Sequence, residues 1–276
     1  MQVVILCGGR GTRLEKETEY RPKPMVSIGS KPILYHIMQI YSSFGFNDFI
    51  ICLGYHGDVI REYFLNFGGL NGDCLVNTAT GKIKHLSNDL PNWNVTLVDT
   101  GLNSETGARI KKIEGHIKGD TFLLTYGDAV SDINICQLLD FHKKHGKIAS
   151  VTGVYPTYKS RFGEVLVKGD IVEKFAEKPV HSANLTSGGF FVVNKGIFGY
   201  LKEDETCIFE REPVEDLVKN DQVRLYEHKG FWHCMDTPRD HVFLNTLFST
   251  GKAPWISENR GKCLKSEWKS TLENAY

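Results

Sequence analysis

The stretch VVILCGGRGTRLEKETEYRPKPM, residues 3–25, decides how this chain is read. Val3 to Leu6 form a short apolar run of the kind that becomes a buried strand, and Gly8, Gly9 and Gly11 break it. Glycines placed directly after an N-terminal strand let backbone N–H groups approach a phosphate closely, because no Cβ stands in the way. Arg13 and Lys23 then add cations that an exposed strand end does not need. The alternative is a glycine-rich turn between two core elements. Two commoner phosphate loops do not fit. The run lacks the G-K-[ST] ending of a P-loop, and Leu14 stands where a dinucleotide fold wants its third glycine. No acidic residue about twenty positions on closes a clear strand to hold a ribose.

Working outward, apolar runs alternate with helical periodicity. Lys31 to Phe44 places Ile33, Leu34, Ile37, Met38, Ile40, Tyr41 and Phe44 at helical spacing, with Gly45 as the stop. Asp48-FIICLG reads as a strand, Asp58 to Phe67 as a helix, and WNVTLVDTG as a strand. A helix carrying Ile110, Ile113 and Ile117 follows, then the strand TFLLTYGD (121–128), a helix from Ile133 to His145, and the strand IASVTGVYP. This order predicts an α/β fold: a mostly parallel, Rossmann-like sheet with helices on both faces, joined by right-handed crossovers. FGEVLV, IVEKFAEKP and TSGGFFVVN are shorter and predict a smaller antiparallel portion in the second half. Helices are expected near 195–202, over 212–219 and at the end through Phe248, with VRLYEHKG as a further strand. Residues 1–256 are expected to form one domain. Within it, 68–92, rich in Gly, Asn and Asp, is an excursion that suits a lid or a subunit contact. Residues 257–276 are a polar tail or docking segment.

At 276 residues the chain can bury a substantial core. Its 33 basic and 33 acidic residues balance, so no global field draws it to nucleic acid or an anionic membrane. No apolar run approaches twenty residues, and the first residues already belong to a core strand, so a cytoplasmic location is expected. Seven scattered cysteines without a C-x-x-C pair argue against a disulfide framework and a structural zinc site. The ten histidines are dispersed; His142 and His145 share a helix with Lys143 and Lys144, which predicts a solvated face.

Four segments carry candidate chemistry. Asp128 ends a strand and Asp236 lies in the turn Cys234-Met235-Asp236-Thr237. Ligands of open α/β sheets sit beyond the carboxyl ends of strands. Two carboxylates from distant segments suit one Mg²⁺, which takes one or two protein carboxylates plus phosphate oxygens and water. Each alone also fits a turn or helix cap. Glu177-Lys178-Pro179 closes a strand and Ser187-Gly188-Gly189 opens the next, an arrangement that can hold a second phosphate; Lys178 equally fits a solvated position before proline. Ser104 and Arg109 lie between a strand and a helix N-terminus, where free N–H groups favour anions.

G-G-x-G-T-R-L followed by K-P-M resembles the sugar nucleotidyltransferases, which join a sugar 1-phosphate to a nucleoside triphosphate. The resemblance covers residues 1 to about 256. PKPMVSIGSKPILYHIM, NDFIICLGYHG, WNVTLVDTG, RFGEV, GGFFV (188–192) and KAPW look most like its cytidylyltransferase branch, which acts on CTP and glucose 1-phosphate. The resemblance implies that Leu6, Cys7, Gly8, Gly9, Arg10, Gly11, Thr12 and Arg13 wrap the triphosphate and base. Lys23 would neutralise charge at the α-phosphate, and Ser104, Arg109 and Gly127 would line the nucleotide pocket. Asp128 and Asp236 would bind Mg²⁺, with Arg13, Lys23 and both aspartates forming the catalytic set. Glu177, Lys178, Ser187 and Gly188 would hold the sugar phosphate. A homo-oligomer is also implied. Arg21 stands where that branch usually has lysine, which keeps the charge. Ser187 stands where it has asparagine, which admits another sugar or another small phosphate as acceptor; another nucleotide also fits, because relatives that use other nucleotides share the core motifs. A nucleotide-sugar binding protein without turnover is the alternative from another class, and it has no need of Lys23, Asp128 and Asp236 together.

Overall fold

Alternate residues of the first strand belong to different cores, and that alternation sets the layers of the molecule. In the computed structural model, which describes residues 1–86, 89–155, 164–168, 171–176, 185–256 and 263, seven strands share one sheet. They are β1 (Gln2–Leu6), β2 (Asp48–Leu53), β3 (Asn94–Asp99), β4 (Thr121–Tyr126), β5 (Ala149–Val154), β6 (Thr186–Asn194) and β7 (Val223–His228), in the order β7-β5-β6-β4-β1-β2-β3. Val3, Ile5, Phe49, Ile51 and Leu123 pack into one hydrophobic cluster. Val4, Leu6, Ile50, Cys52, Phe122 and Leu124 pack into another. Strands buried on both faces read as continuous apolar runs, which is why VVIL and FIICL show no alternation of their own.

Helices cover both faces. α1 (Ile33–Ser43), α4 (Ile135–His145) and α6 (Pro238–Ser249) feed the first cluster through Ile37, Leu138 and Leu244; α2 (Gly57–Leu65) adds Ile60. α3 (Thr106–Lys112) and α5 (Glu212–Lys219) feed the second through Ile110 and Leu217. Each such side chain contributes roughly 1.5–3 kcal/mol on full burial. The expected helix boundaries shift for local reasons. α1 begins only after Pro32, and α4 begins after Asn134, whose side chain accepts from the Gln137 N–H. Lys195–Tyr200 is a short 3₁₀ turn rather than an α-helix. His142 is buried, within 2.9 Å of Ser150 Oγ and 3.0 Å of Asn194 Oδ1, so its face of α4 is packed and not solvated as its lysine neighbours suggest.

β1, β2, β3 and β4 run parallel, as do β5 and β7; β6 is antiparallel to both of its neighbours. The antiparallel part of the second half is thus divided. Glu164–Lys168 and Ile171–Ala176 form a separate two-stranded sheet, and β6 is inserted into the main one. The chain leaves β5 at its carboxyl end and re-enters at the same edge, Val154 facing Thr186, and none of the described residues between them is helical. A strand that returns that way must run backwards. Residues 68–92 include the end of a short helix (Phe67–Asn71) and a hairpin of Cys74–Asn77 against Lys82–His85, with every hairpin strand residue exposed.

From β1 the chain proceeds outward to β2 and β3, then returns to β4 on the other side of β1. The carboxyl ends of β1 and β4 therefore flank the point where strand order reverses, the place where open α/β sheets open a crevice. No described helix is long and apolar enough to cross a membrane.

One expectation from the cysteines is corrected: Cys136 on α4 is disulfide-bonded to Cys263, 127 residues away in sequence. Scattered spacing hid a pair whose Cα atoms lie 5.5 Å apart in the fold. Cross-linking so long a loop restricts the unfolded chain, an effect of up to about 4–5 kcal/mol. Reduction, or Cys263→Ser, is expected to lower the melting temperature by several degrees. Thermal melts of the wild type and the variant with and without a dithiol check this, the variant being insensitive to the reductant.

Candidate active site

Asp128 lies two residues beyond the end of β4, after Gly127, and Asp236 is carried to it by a second, smaller ladder. Ala129–Ser131 pairs antiparallel with Trp232–Cys234, placing Cys234 opposite Ala129, and the Met235 N–H donates to the Asp128 carbonyl at 2.8 Å. Two carboxylates from opposite halves of the chain thus arrive side by side. Between them lies Lys23, from the short turn Lys23–Met25, its side chain only 11% exposed. Its ammonium donates to Asp128 Oδ2 at 2.7 Å and to Asp236 Oδ1, and lies 4.0 Å from Cys234 Sγ. Burial disfavours the charged form of Lys23, but Asp128 and the hydrogen bonds to both carboxylates outweigh it and hold its pKa above the ordinary lysine range. Arg13 donates to Asp236 Oδ2 at 2.7 Å from an exposed position, where an ion pair adds little to stability.

The glycine loop rises over this group. Gly11 adopts φ 63°, and a Cβ there would lie 2.9 Å from Lys23 Cβ, so glycine is required both by the backbone and by the lysine beside it. Arg109 fixes the start of the loop. It is 4% exposed. One terminal nitrogen donates to the carbonyls of Leu53 and Gly101 and to Thr100 Oγ1, at 2.7–3.0 Å; the other donates to the Gly8 carbonyl at 3.0 Å. A Cβ on Gly8 would fall 2.1 Å from that guanidinium. Arg109 therefore welds the ends of β1, β2 and β3 together, and burial lowers its pKa. Ser104 is similarly engaged, donating to the Thr100 carbonyl and accepting from Lys112. The N-terminal donors of α3 are partly taken by the chain itself, Ala108 N–H by the Cys207 carbonyl at 3.1 Å.

A cavity of about 380 Å³ opens between these elements. Of the residues singled out for the nucleotide, all but Arg10 line it, as do Asp128 and Asp236. Arg10 is exposed and reaches Asn103 Oδ1 at 3.4 Å. Ser187 is exposed and outside the cavity lining, and the Gly188 carbonyl accepts from Trp232 Nε1. Glu177 and Lys178 lie outside the described residues. The cavity also has walls that the sequence did not reveal. Thr106 and Tyr126 line it, and both hydroxyls donate to Glu210. Glu210 sits in a distant polar segment with no motif of its own. Cys234 is outside the cavity lining but lies beside the Lys23 ammonium, and in the sequence it is visible only as the residue two before Asp236.

The carboxylates of Asp128 and Asp236 are hard oxygen donors of the kind a divalent cation of the Mg²⁺ type takes, and in this structure the Lys23 ammonium stands between them. Among the described residues, the cluster that could hold a metal ion is Asp128, Cys234 and Asp236.

With this geometry in view, the chain belongs to the nucleotidyl transferase family, whose model matches residues 2–240. It is 46% identical over 256 residues to the glucose-1-phosphate cytidylyltransferase of Salmonella typhimurium, covering 92% of this chain and 98% of that one. It is 39% identical over 255 residues to a probable glucose-1-phosphate cytidylyltransferase of Bacillus subtilis, covering 92% and 99%. Among solved structures, HddC from Yersinia pseudotuberculosis superposes with a TM-score of 0.65 at 22% identity over 90% of this chain and 99% of that one, a likeness of fold. A UDP-glucose pyrophosphorylase complexed with UDP-glucose does so with a TM-score of 0.65 at 16% identity, covering 91% and 98%.

Two substitutions probe the scaffold. Arg109→Lys cannot reproduce a guanidinium fork and leaves buried carbonyls without donors, a cost of about 3 kcal/mol or more. It is expected to lower the denaturant midpoint and weaken nucleotide binding together, read by urea titration and calorimetry. Asp240 closes the capping box of α6 with Thr237 and accepts from the Asp236 N–H. Burial raises its pKa, yet the hydrogen bonds from His233 and Thr237 prevail and bring it from 3.8 to about 2. A carboxyl depressed on folding stabilises above its unfolded pKa, so its contribution, on the order of 1–2 kcal/mol, is lost as pH falls from about 4 to about 2. Asp240→Asn should remove that part of the acid-unfolding curve, measured by urea midpoints across this range.

Proposed function

We propose that this chain joins CTP and a sugar 1-phosphate, glucose 1-phosphate first among acceptors, to give a CDP-sugar and pyrophosphate. The observation that carries this reading is Lys23 held between Asp128 and Asp236 at the floor of a glycine-loop cavity. The names of the Salmonella and Bacillus relatives support the base and the sugar. Residues 1–256 act as one nucleotidyltransferase unit in this reading.

A phosphate oxygen of the sugar 1-phosphate attacks the α-phosphorus in line. The new P–O bond forms as the bond to the β-phosphate bridge breaks, and pyrophosphate leaves with the electron pair. No covalent intermediate with the chain is needed, because both reactants carry their reactive groups. The chain supplies positioning and charge. Backbone N–H groups of Gly8 to Thr12 cradle the triphosphate. Lys23, whose charge the two carboxylates secure, and Arg13 face the phosphates. Mg²⁺ bound to Asp128 and Asp236 would neutralise the charge that develops on the phosphate oxygens. Ser104, Arg109 and Gly127 shape the nucleotide wall, and Glu177, Lys178, Ser187 and Gly188 serve the sugar phosphate.

The exposed apolar side chains of Leu65, Leu70, Leu75, Val76, Ile83 and Leu86 support a homo-oligomer that covers them. Balanced charge supports small-molecule substrates over nucleic acid or membrane, and a supply of nucleoside triphosphate supports a cytoplasmic location.

Pyrophosphate release measured with CTP, UTP, dTTP and ATP against several sugar phosphates tests the reading. CTP with glucose 1-phosphate is expected to give the highest kcat/KM; absence of release from every pair would leave a binding protein instead. Lys23→Ala should lower kcat by about 10²-fold or more, and near-normal turnover would remove Lys23 from the chemistry.

A further inference from the structure

The cation cluster contains an atom that a Mg²⁺ site does not call for. Cys234, at the end of the strand Trp232–Cys234, and Asp236 are two apart and both reach the Lys23 ammonium, while Met235 between them is fully buried in the core. Cys234 faces Ala129 across the small ladder, which sets its sulfur beside Asp128. One donor atom each from Asp128, Cys234 and Asp236 lie within 4.8 Å of one another. The Lys23 ammonium already sits among them, so the cluster holds a positive charge in this structure.

We propose that Cys234 is a third ligand of this site and that a thiophilic divalent cation of the zinc class binds there through sulfur and both carboxylates, displacing Lys23 and excluding the hard cation. The proposal rests on Asp128 and Asp236 being the cation ligands of the proposed reaction. Hard, six-coordinate Mg²⁺ draws on oxygen alone and leaves the sulfur a bystander. Zinc-class ions accept mixed sulfur and oxygen donors in tetrahedral sites, with metal–sulfur and metal–oxygen distances of about 2.3 and 2.0–2.2 Å. Such a geometry asks the three donors to close to roughly 3.5 Å from one another, a contraction of side chains and not of backbone. On binding, the S–H bond gives its proton to solvent, the sulfur–metal bond forms, and the lysine ammonium is released into the cavity. An ion held by three protein atoms then keeps fewer positions for triphosphate oxygens, so the bound state is inhibitory.

Binding is tested with zinc chloride, magnesium chloride and cobalt chloride added to the full chain. Cys74 is exposed and faces His85 across its hairpin, so a Cys74→Ser background removes a competing surface site. Calorimetry is expected to show one zinc-class site, on the order of tenfold or more weaker in Cys234→Ser and in Cys234→Ala, with Mg²⁺ affinity the same in all three. Cobalt should give a near-ultraviolet sulfur-to-metal charge-transfer band that both variants lose. Equal zinc affinity with and without the sulfur, or no band, overturns the proposal while leaving the Mg²⁺ reading intact. If Asp128→Asn changes neither zinc nor magnesium affinity, the carboxylate reading itself fails, and this proposal fails with it. Urea midpoints of the two Cys234 variants within the range of the parent show that the comparison is made between folded proteins.

Discussion

One ammonium shared by two carboxylates is the constraint on which the rest of this molecule turns. Asp128 and Asp236 come from segments that meet only because a short antiparallel ladder aligns them. Two carboxylates at that separation repel each other, and in the absence of a cation they need a counter-charge. Lys23 provides it from a third segment, and the glycine loop closes over the lysine with so little room that Gly11 admits no side chain. Moving any one of the three segments would leave a half-buried charge without its partner, which costs more than the pair contributes.

Everything around that group serves to hold it at a strand-order reversal. Residues of β1 and β4 are buried on both faces, so the sheet is stiff where the loops depart from it. Arg109 adds a second weld, and it is made of hydrogen bonds to carbonyl groups rather than to carboxylates. A side chain so committed acts on a ligand through the loops it fixes more than through its own charge. The wall residues Thr106 and Tyr126 have the same character: the Glu210 carboxylate, from another segment, holds both hydroxyls.

Much of this could be read from the sequence, for identifiable reasons. The glycine loop, Lys23, Asp128 and Asp236 are legible because each sits at a fixed offset from an apolar run, and apolar runs mark strands. The parallel sheet is legible because strand and helix periods alternate through the first half. The antiparallel direction of β6 is legible in the shortness of TSGGFFVVN and its neighbours, but its place between β4 and β5 in the main sheet is not, since only pairing gives it that place. Arg109 could be placed near the site, but no local pattern reveals that its donors are spent on backbone carbonyls. The 3₁₀ turn at Lys195–Tyr200 is set by tertiary packing of Ile197 and Phe198, which overrides a helical spacing. Glu210, Cys234 and the Cys136–Cys263 pair acquire meaning only from contacts across long stretches of chain, and one sequence alone does not supply those.

The bridge between Cys136 and Cys263 converts the second half of the chain into a covalent ring. Asp236 lies inside that ring, whereas Lys23 and Asp128 lie on the arm that leads into it. A backbone cut anywhere between the two cysteines therefore frees no fragment: both pieces stay tethered, and the aspartate cannot diffuse away from the lysine that it faces. In oxidising surroundings a nicked molecule would keep its two halves at high effective concentration, while in reducing surroundings the same nick would divide it.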